Sequence, residues 1–374
     1  MHPSPALASR RDEAFAGPAR TAGVPGPSYA GDMTSLPDVP ATMRAVFLDG
    51  PQHLGLRETR TPLPGPFEVL VRTASVGLCG SDVHFWEHGR VGDLVVEEPL
   101  ILGHEVAGVI AAVGKGVDPS RIGTRVAVDP QRPCRRCAFC LGGQYNLCRD
   151  VEFPSAPPVH GAFAEYMVAP ADFAFPIPSE ITDDEAALLE PLGVGIAAVR
   201  KAAVSAGASV LVAGAGPIGV LTAAAASAFG ATTAVVIDPL PTRRDVALAH
   251  GATAALDPLV EQPDEEAFDA FIDASGVQAA IDGGLRALRP GGTAVMVGMA
   301  SERINLDLFL LQSRELHLEG LFRYTNTWPT AIDLVATGRV RLDSLVSAAT
   351  ELEHLDEAMR RNGDADVMKI VVHP

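Results

Sequence analysis

Four of the five cysteines of this 374-residue chain, Cys134, Cys137, Cys140 and Cys148, follow one another as C-x2-C-x2-C-x7-C. Four thiolates on one loop can close a tetrahedron around zinc. A closed all-sulfur shell has no position left for a reactant, so its expected role is to hold a lobe in shape. An iron–sulfur cluster takes the same four ligands and stands as the alternative. The remaining cysteine lies in Gly77-Leu-Cys79-Gly-Ser81-Asp-Val-His84, and His104-Glu105 follow in Leu102-Gly103-His104-Glu105. Thiolate, imidazole and carboxylate supply three ligands and keep a fourth position for water or substrate, the open arrangement of a catalytic zinc. Taken singly, each is an ordinary core or surface residue. Their company is what points to a metal. The stretch His84-Phe-Trp-Glu87-His88 also matches the H-x-x-E-H signature of a zinc protease family. That reaction needs a long helix and a distant third ligand, whereas this segment runs into Gly89 and Gly92. Glu87 and His88 are therefore expected in a solvated turn.

A second chemistry is written in Gly214-Ala-Gly216-Pro217-Ile218-Gly219, which follows the apolar run Val210–Ala213 and precedes a helical stretch expected over Val220–Phe229. The first glycine permits a tight turn, the second lets the backbone approach a pyrophosphate, and the third allows close helix-to-strand packing. The motif alone is weak. Its context strengthens it, because the next strand ends at Asp238, nineteen residues after Gly219. A carboxylate there accepts hydrogen bonds from the adenosine ribose and repels a 2′-phosphate, which favours NAD over NADP. Arg243-Arg244 complicate this, since a nearby arginine accommodates that phosphate. Later strand ends place Ser275, in Asp273-Ala-Ser-Gly276, and Val297-Gly298-Met299 where a doubly wound sheet contacts its ligand.

The elements that must position these groups fall into two textures. From Met43 to about Ala169, short alternating strands (Arg44–Leu48, Glu68–Ser75, Glu105–Val113, Arg125–Val128) are separated by Gly and Pro, which predicts a β-rich, barrel-like domain. Beyond Leu192, strand-length apolar runs (Val210–Ala213, Thr233–Ile237, Ala270–Asp273, Thr293–Val297) alternate with helical segments, which predicts a parallel sheet covered on both faces. The tail Met368–His373 reads as a strand that could return to the first domain. The expected class is α/β: a Rossmann doubly wound domain over residues 193–324, and a β-rich catalytic domain over 41–192 and 325–374.

Composition excludes other classes. With 47% apolar residues, the chain can bury two cores. Its 46 acidic against 29 basic residues give a net charge of -17, which disfavours nucleic acid and anionic membranes as partners. No run reaches the roughly 20 apolar residues of a membrane span. Residues 1–40 are rich in Pro, Ala, Gly and Arg and lack the apolar stretch of an export signal after Arg10-Arg11. They are expected to be a disordered extension, with Met33 and Met43 as alternative starts. Clustered cysteines and the lack of secretory features favour metal over disulfides and a reducing cytoplasm.

In these residues the chain resembles the zinc-containing medium-chain alcohol dehydrogenases, and among them the sorbitol (L-iditol) and xylitol dehydrogenases. The resemblance covers nearly everything after Met43 and rests on the segments Cys79–Arg90, Leu189–Gly195, Gly214–Gly219 and Phe322–Trp328. It implies a GroES-like fold for the β-rich domain and two zinc ions, one catalytic and one structural, with NAD as cofactor. It implies Cys79, His104 and Glu105 as catalytic zinc ligands. Glu190 occupies the position where relatives acting on simple alcohols have a cysteine ligand, and would reach the metal directly or through water. Arg323 and Tyr324 match residues that contact the polyol, and Phe85 stands where the family often has a tyrosine. Asp238 and Arg243 match residues on the adenosine ribose, and Leu321 and Arg323 complete the cofactor contacts. Proton release is expected by way of Glu190 or the Ser81 hydroxyl, with His84 able to finish the relay. The implied activity is oxidation of a polyol secondary hydroxyl to the ketose by a homotetramer or homodimer. L-Threonine, L-idonate or an aromatic alcohol as substrate keeps the same chemistry. A non-catalytic NAD-binding sensor with structural zinc only is the alternative from another class.

Overall fold

The alternating strands expected between Met43 and Ala169 assemble into two sheets. The structure, a computed structural model, describes residues 39–299 and 303–374, so all but Val39 and Pro40 of the expected 1–40 extension lie outside the described residues. Strands β1 (Thr42–Gly50) and β2 (His53–Arg60) pair antiparallel, and the short strand Leu100–Ile101 joins the other edge of β1. The larger sheet contains β3 (Glu68–Gly77), β4 (Glu105–Val113), β5 (Arg125–Val128), β6 (Tyr166–Pro170) and β7 (Ala174–Pro176). Its path runs β7-β5-β4-β3, with β6 also on β3, and all of these pairs are antiparallel.

The apolar runs beyond Leu192 form a second sheet of β8 (Ser209–Ala213), β9 (Thr233–Ile237), β10 (Ala254–Leu256), β11 (Phe268–Asp273), β12 (Leu288–Met296) and β13 (His317–Gly320). Every pair is parallel, and the order is β10-β9-β8-β11-β12-β13. That order turns back on itself between β8 and β11, the switch point at which doubly wound sheets bind ligands. Val210, Leu211, Val212 and Ala213 are wholly buried, as continuous apolar strands are when helices cover both faces. The carboxy-terminal tail does return: β14 (Val346–Glu351) and β15 (Lys369–His373) extend the first large sheet, with β15 antiparallel to β3 through Val371–Gly77 and Val372–Val76.

Two helices depart from expectation. Helix α1 (Gly80–His88) includes Glu87 and His88, which were expected in a turn. Asp82 at its third position accepts from Cys79 N at 3.1 Å, which caps the start, and Gly89, at φ 67°, ends it. Glu87 and His88 are exposed in its last turn, so solvation was legible while the helix itself was not. Helix α2 (Leu189–Lys201) buries Glu190 among its apolar residues. Helix α3 (Pro217–Ala228) begins three residues before the expected Val220, with Pro217 in its first turn, where a missing N–H costs nothing.

Candidate active site

Cys79, His104 and Glu105 converge because β3 ends beside the start of β4. Gly77 pairs with Glu105 across these strands. A side chain at Gly77 would meet Glu105 Oε2 at 2.0 Å, so only glycine leaves room for that carboxylate. Two residues on, Cys79 caps α1. One ligand atom from each of Cys79, His104 and Glu105 lies within 4.8 Å of the others. His104 is 5% exposed and Glu105 1%, and Glu105 Oε2 has no hydrogen-bond partner. A buried carboxylate oxygen left bare beside a thiol and an imidazole fits a divalent cation.

Asp82 lies behind the imidazole, wholly buried, with Oδ1 3.4 Å from His104 Nδ1. Ser155 Oγ donates to the same oxygen at 2.6 Å and Gly103 N at 3.1 Å. A carboxylate in that position fixes the ring of a metal-ligating histidine. Burial alone would depress the His104 imidazole, yet the charges of Asp82 and Cys79 hold it well above its ordinary value.

Glu190 stands outside the close trio. Tyr324 Oη donates to its Oε1 at 3.0 Å, and burial pushes its carboxyl up to about 7, against the attraction of His104. Burial and the Glu190 charge keep the Tyr324 phenol protonated. Arg323 lies over the Phe153 ring at 4.0 Å. Phe85 is buried on α1, and Ser81 is half-buried beside Cys79. His84 is not brought to the trio: it is exposed, its ring 4.6 Å from that of His88, and its ligand atom groups with those of Glu87 and His88.

The four remaining cysteines also gather, with Sγ atoms all within 4.8 Å of one another. The Cys134–Cys140 and Cys137–Cys140 separations are 3.9 and 3.5 Å, near the roughly 3.8 Å edge of a tetrahedron with 2.3 Å Zn–S bonds. A shell this tight fits one ion rather than a cluster. Backbone N–H groups of Arg136 and Cys137 pull the Cys134 thiol down to about 6, toward the thiolate a metal needs.

At the switch point, Gly214 takes φ 91°, and a side chain at Gly219 would lie 1.8 Å from Gly214 O. Gly216, Pro217 and Ile218 form the start of α3, whose free N–H groups suit a pyrophosphate. Asp238, at the end of β9, accepts from Ala215 N and Leu240 N, both at 2.8 Å. Arg243 lies half-buried in the helix Pro241–Ala249, and Arg244 Nη1 donates to Asp238 O at 2.7 Å. Ser275 Oγ donates to Asp273 Oδ1 at 2.7 Å. Val297 and Gly298 both donate to Asp273 O at 2.9 Å, Leu321 N donates to Met296 O at 3.0 Å, and Met299 is exposed. These residues line the carboxyl ends of β8, β9, β11 and β12.

Residues 65–179 match the alcohol dehydrogenase GroES-like domain, and residues 217–337 match the zinc-binding dehydrogenase domain. Over 327 residues the chain is 40% identical to "Probable D-xylulose reductase A" of Aspergillus clavatus, covering 84% of this chain and 91% of that one. The chain belongs to the zinc-binding alcohol dehydrogenase family. Sorbitol dehydrogenase of Bacillus subtilis is 39% identical over 347 residues, covering 90% of this chain and 98% of that protein. The crystal structure of L-idonate 5-dehydrogenase from Escherichia coli superposes with a TM-score of 0.85 at 28% identity, covering 89% of this chain and 98% of the other. As a zinc-binding dehydrogenase the chain is an oxidoreductase, which sets aside the non-catalytic sensor. Zinc and a nicotinamide dinucleotide are the cofactors its residues serve.

Sequence reasoning missed several residues that surround the candidate site without belonging to its ligand trio. Asp82 carried a local signal, a carboxylate three positions after the Cys79 cap. Lys369, Asp129, Gln131 and Tyr145 carried none, because their partners lie far away in sequence.

Proposed function

We propose that this chain oxidises a secondary hydroxyl of a polyol of the sorbitol, xylitol or L-iditol type to the ketose, with hydride passing to NAD+. The reading is carried by the 3.0 Å hydrogen bond from Tyr324 to Glu190 beside Cys79, His104 and Glu105. A row of hydroxyls needs donors and acceptors together, and the buried Tyr324 phenol and Glu190 carboxylate with the half-buried Arg323 guanidinium supply both. The relatives named sorbitol dehydrogenase and D-xylulose reductase add support.

Cys79, His104 and Glu105 would hold the catalytic zinc, with Asp82 orienting the imidazole. Zinc, when bound, supplies a Lewis acid that lowers the pKa of a hydroxyl. Tyr324, whose phenol proton goes to Glu190, accepts from a hydroxyl of the substrate chain, and Arg323 donates at its far end. The hydroxyl proton leaves by way of Glu190 or Ser81 Oγ, with His84 at the solvent side of α1. The carbon-bound hydrogen departs with its electron pair to NAD+. Asp238 and the start of α3 hold the dinucleotide so that this transfer is in reach.

A second reading, L-idonate or a related sugar acid, is favoured by Arg323, whose guanidinium would pair with a substrate carboxylate. The assembly is proposed as a homo-oligomer, a dimer or tetramer. Edge strand β13 is exposed at every position, with Leu318 on it and exposed Leu308 and Phe309 preceding it. A cytoplasmic location is supported by free thiols gathered for metal rather than paired. The test is NAD+ reduction against sorbitol, xylitol, L-threonine, L-idonate and ethanol, with and without a chelator. Chelator-sensitive turnover strongest with sorbitol or xylitol is the expected result. Ethanol or L-threonine as the best substrate would overturn the polyol assignment.

A further inference from the structure

The loop that carries Arg323 and Tyr324 is strained and is held from a distance. It connects β13 to the helix Trp328–Ala336. Arg323 and Asn326 both take φ 54°, the left-handed region that side chains disfavour. Such a shape persists only where surrounding contacts over-determine it.

Those contacts come from the four-cysteine lobe and from Asp129 and Gln131 just before it. Asn146 Nδ2 donates to Phe322 O at 2.7 Å, and Asn326 Nδ2 donates to Gly143 O at 3.1 Å. Asn326 N donates to Tyr145 Oη at 2.9 Å, and Tyr145 Oη donates in turn to Asp129 Oδ2 at 3.3 Å. Asp129 also accepts from Gln131 Nε2 at 3.2 Å, and Gln131 Nε2 donates to Tyr324 O at 3.0 Å. Asp129 and Gln131 are wholly buried, so the Gln131 bonds to Asp129 and to Tyr324 O are shielded from competing water, whereas the bonds of Asn146 to Phe322 and of Asn326 to Tyr145 and Gly143 lie at the surface. Gly143, Tyr145 and Asn146 all lie between Cys140 and Cys148. Closing the four cysteines on one ion therefore sets where these anchors stand.

We infer that the four-cysteine lobe positions the substrate-contacting segment, with Tyr145 and Asn146 as the positioning residues that hold Arg323 and Tyr324 in register with Glu190. The lobe then contributes to the choice of substrate without touching it. This rests on the polyol reading for the segment's role, but the holding itself can be measured separately. A structural knob for stability alone would have no reason to aim three polar groups at one strained loop.

The experiment compares the wild-type holoenzyme with Tyr145→Phe, which keeps the ring beside Phe173 at 5.3 Å, and with Asn146→Ala. Hydrogen exchange of the peptide 322–327 is measured together with KM and kcat for sorbitol, for 2-propanol, which has a single hydroxyl, and for NAD+. Expected are faster exchange confined to 322–327 and a sorbitol KM raised about tenfold, the effect of one or two weakened hydrogen bonds. The kcat for sorbitol, the 2-propanol kinetics and the NAD+ KM should stay within about twofold. Unaltered exchange overturns the inference. So does an equal loss for both alcohols, or an unchanged sorbitol KM with faster exchange. Wild-type protein that turns over no polyol would defeat the polyol reading by itself, and the exchange data would still decide whether the lobe holds the segment.

Discussion

Lys369 Nζ lies 2.5 Å from Glu105 Oε1, an ion pair whose side chains are 4% and 1% exposed. The same ammonium donates to Leu78 O at 2.9 Å, so the carboxy-terminal strand is tied both to a proposed zinc ligand and to the residue before Cys79. Burial opposes the Lys369 charge, but Glu105 and Cys79 hold its pKa above the ordinary value. One carboxylate oxygen is thereby committed to the lysine, and Oε2 is left without a hydrogen-bond partner.

Lys369→Met should therefore destabilise the protein by about 3–5 kcal/mol, because it leaves a buried carboxylate without its counter-charge. Thermal unfolding and zinc content check this: the melting temperature should drop and the catalytic zinc should be lost at lower chelator concentration. Adding Glu105→Gln to Lys369→Met should restore part of the stability, since no unpaired charge then remains. An unchanged melting temperature in the single variant would show the pair to be dispensable.

Cys79→Ala and His104→Ala should each abolish turnover while NAD binding, followed by fluorescence, stays within about threefold, since the nucleotide crevice lies on a separate sheet. Zinc should fall from two ions per chain to one, with the four-cysteine loop keeping its own. Simultaneous loss of NAD binding would mean that these residues hold the fold and nothing more.

Asp238→Asn replaces an acceptor of two backbone N–H groups and the carboxylate proposed for the ribose. The kcat/KM for NAD+ should fall about tenfold to a hundredfold, as expected for hydrogen bonds to a charged group. NADP+ should lose much less, with Arg243 nearby to meet its phosphate. A preserved ratio between the two cofactors would remove Asp238 from the selection.

Asp129 has its carboxyl pushed up to about 7, chiefly by burial. Because the folded value lies above the unfolded one near 3.9, the folded state binds the proton more tightly. Stability linked to this group is complete below about pH 4 and is lost as pH rises through about 7. Asp129→Asn should flatten that part of the pH profile and raise stability at pH 8 by a few kcal/mol relative to the parent, with little change at pH 4. Melting temperatures of the two proteins across pH 4–8 test it, and parallel curves would count against the buried titration.

Much of this protein was open to reading along the chain. Periodicity located Glu105–Val113, Arg125–Val128 and Thr233–Ile237 at their observed bounds and six further strands approximately, because alternation and unbroken apolar runs are local consequences of covering one face or two. Strands β2, β6, β7, β10, β13 and β14 were not anticipated. Where the ligands sit on a single loop, spacing was enough: Cys134, Cys137, Cys140 and Cys148 gather, and Gly214 to Gly219 turn at the switch point. Glu87 and His88 were misplaced by the nearby glycines, since Gly89 ends a helix rather than preventing one.

What the order of residues alone determined is the chemistry: sulfur, imidazole and carboxylate for a metal, a glycine turn for a dinucleotide, and many of the strands that present them. What only the tertiary structure decided is which buried groups support that chemistry. Lys369 meets Glu105 across 264 positions, Gln131 meets Tyr324 across 193, and Tyr145 meets Asn326 across 181. Pairs so far apart leave no period or spacing in the chain, because their meeting is fixed by how sheets and loops pack, and a buried polar atom is satisfied by whatever that packing brings within reach.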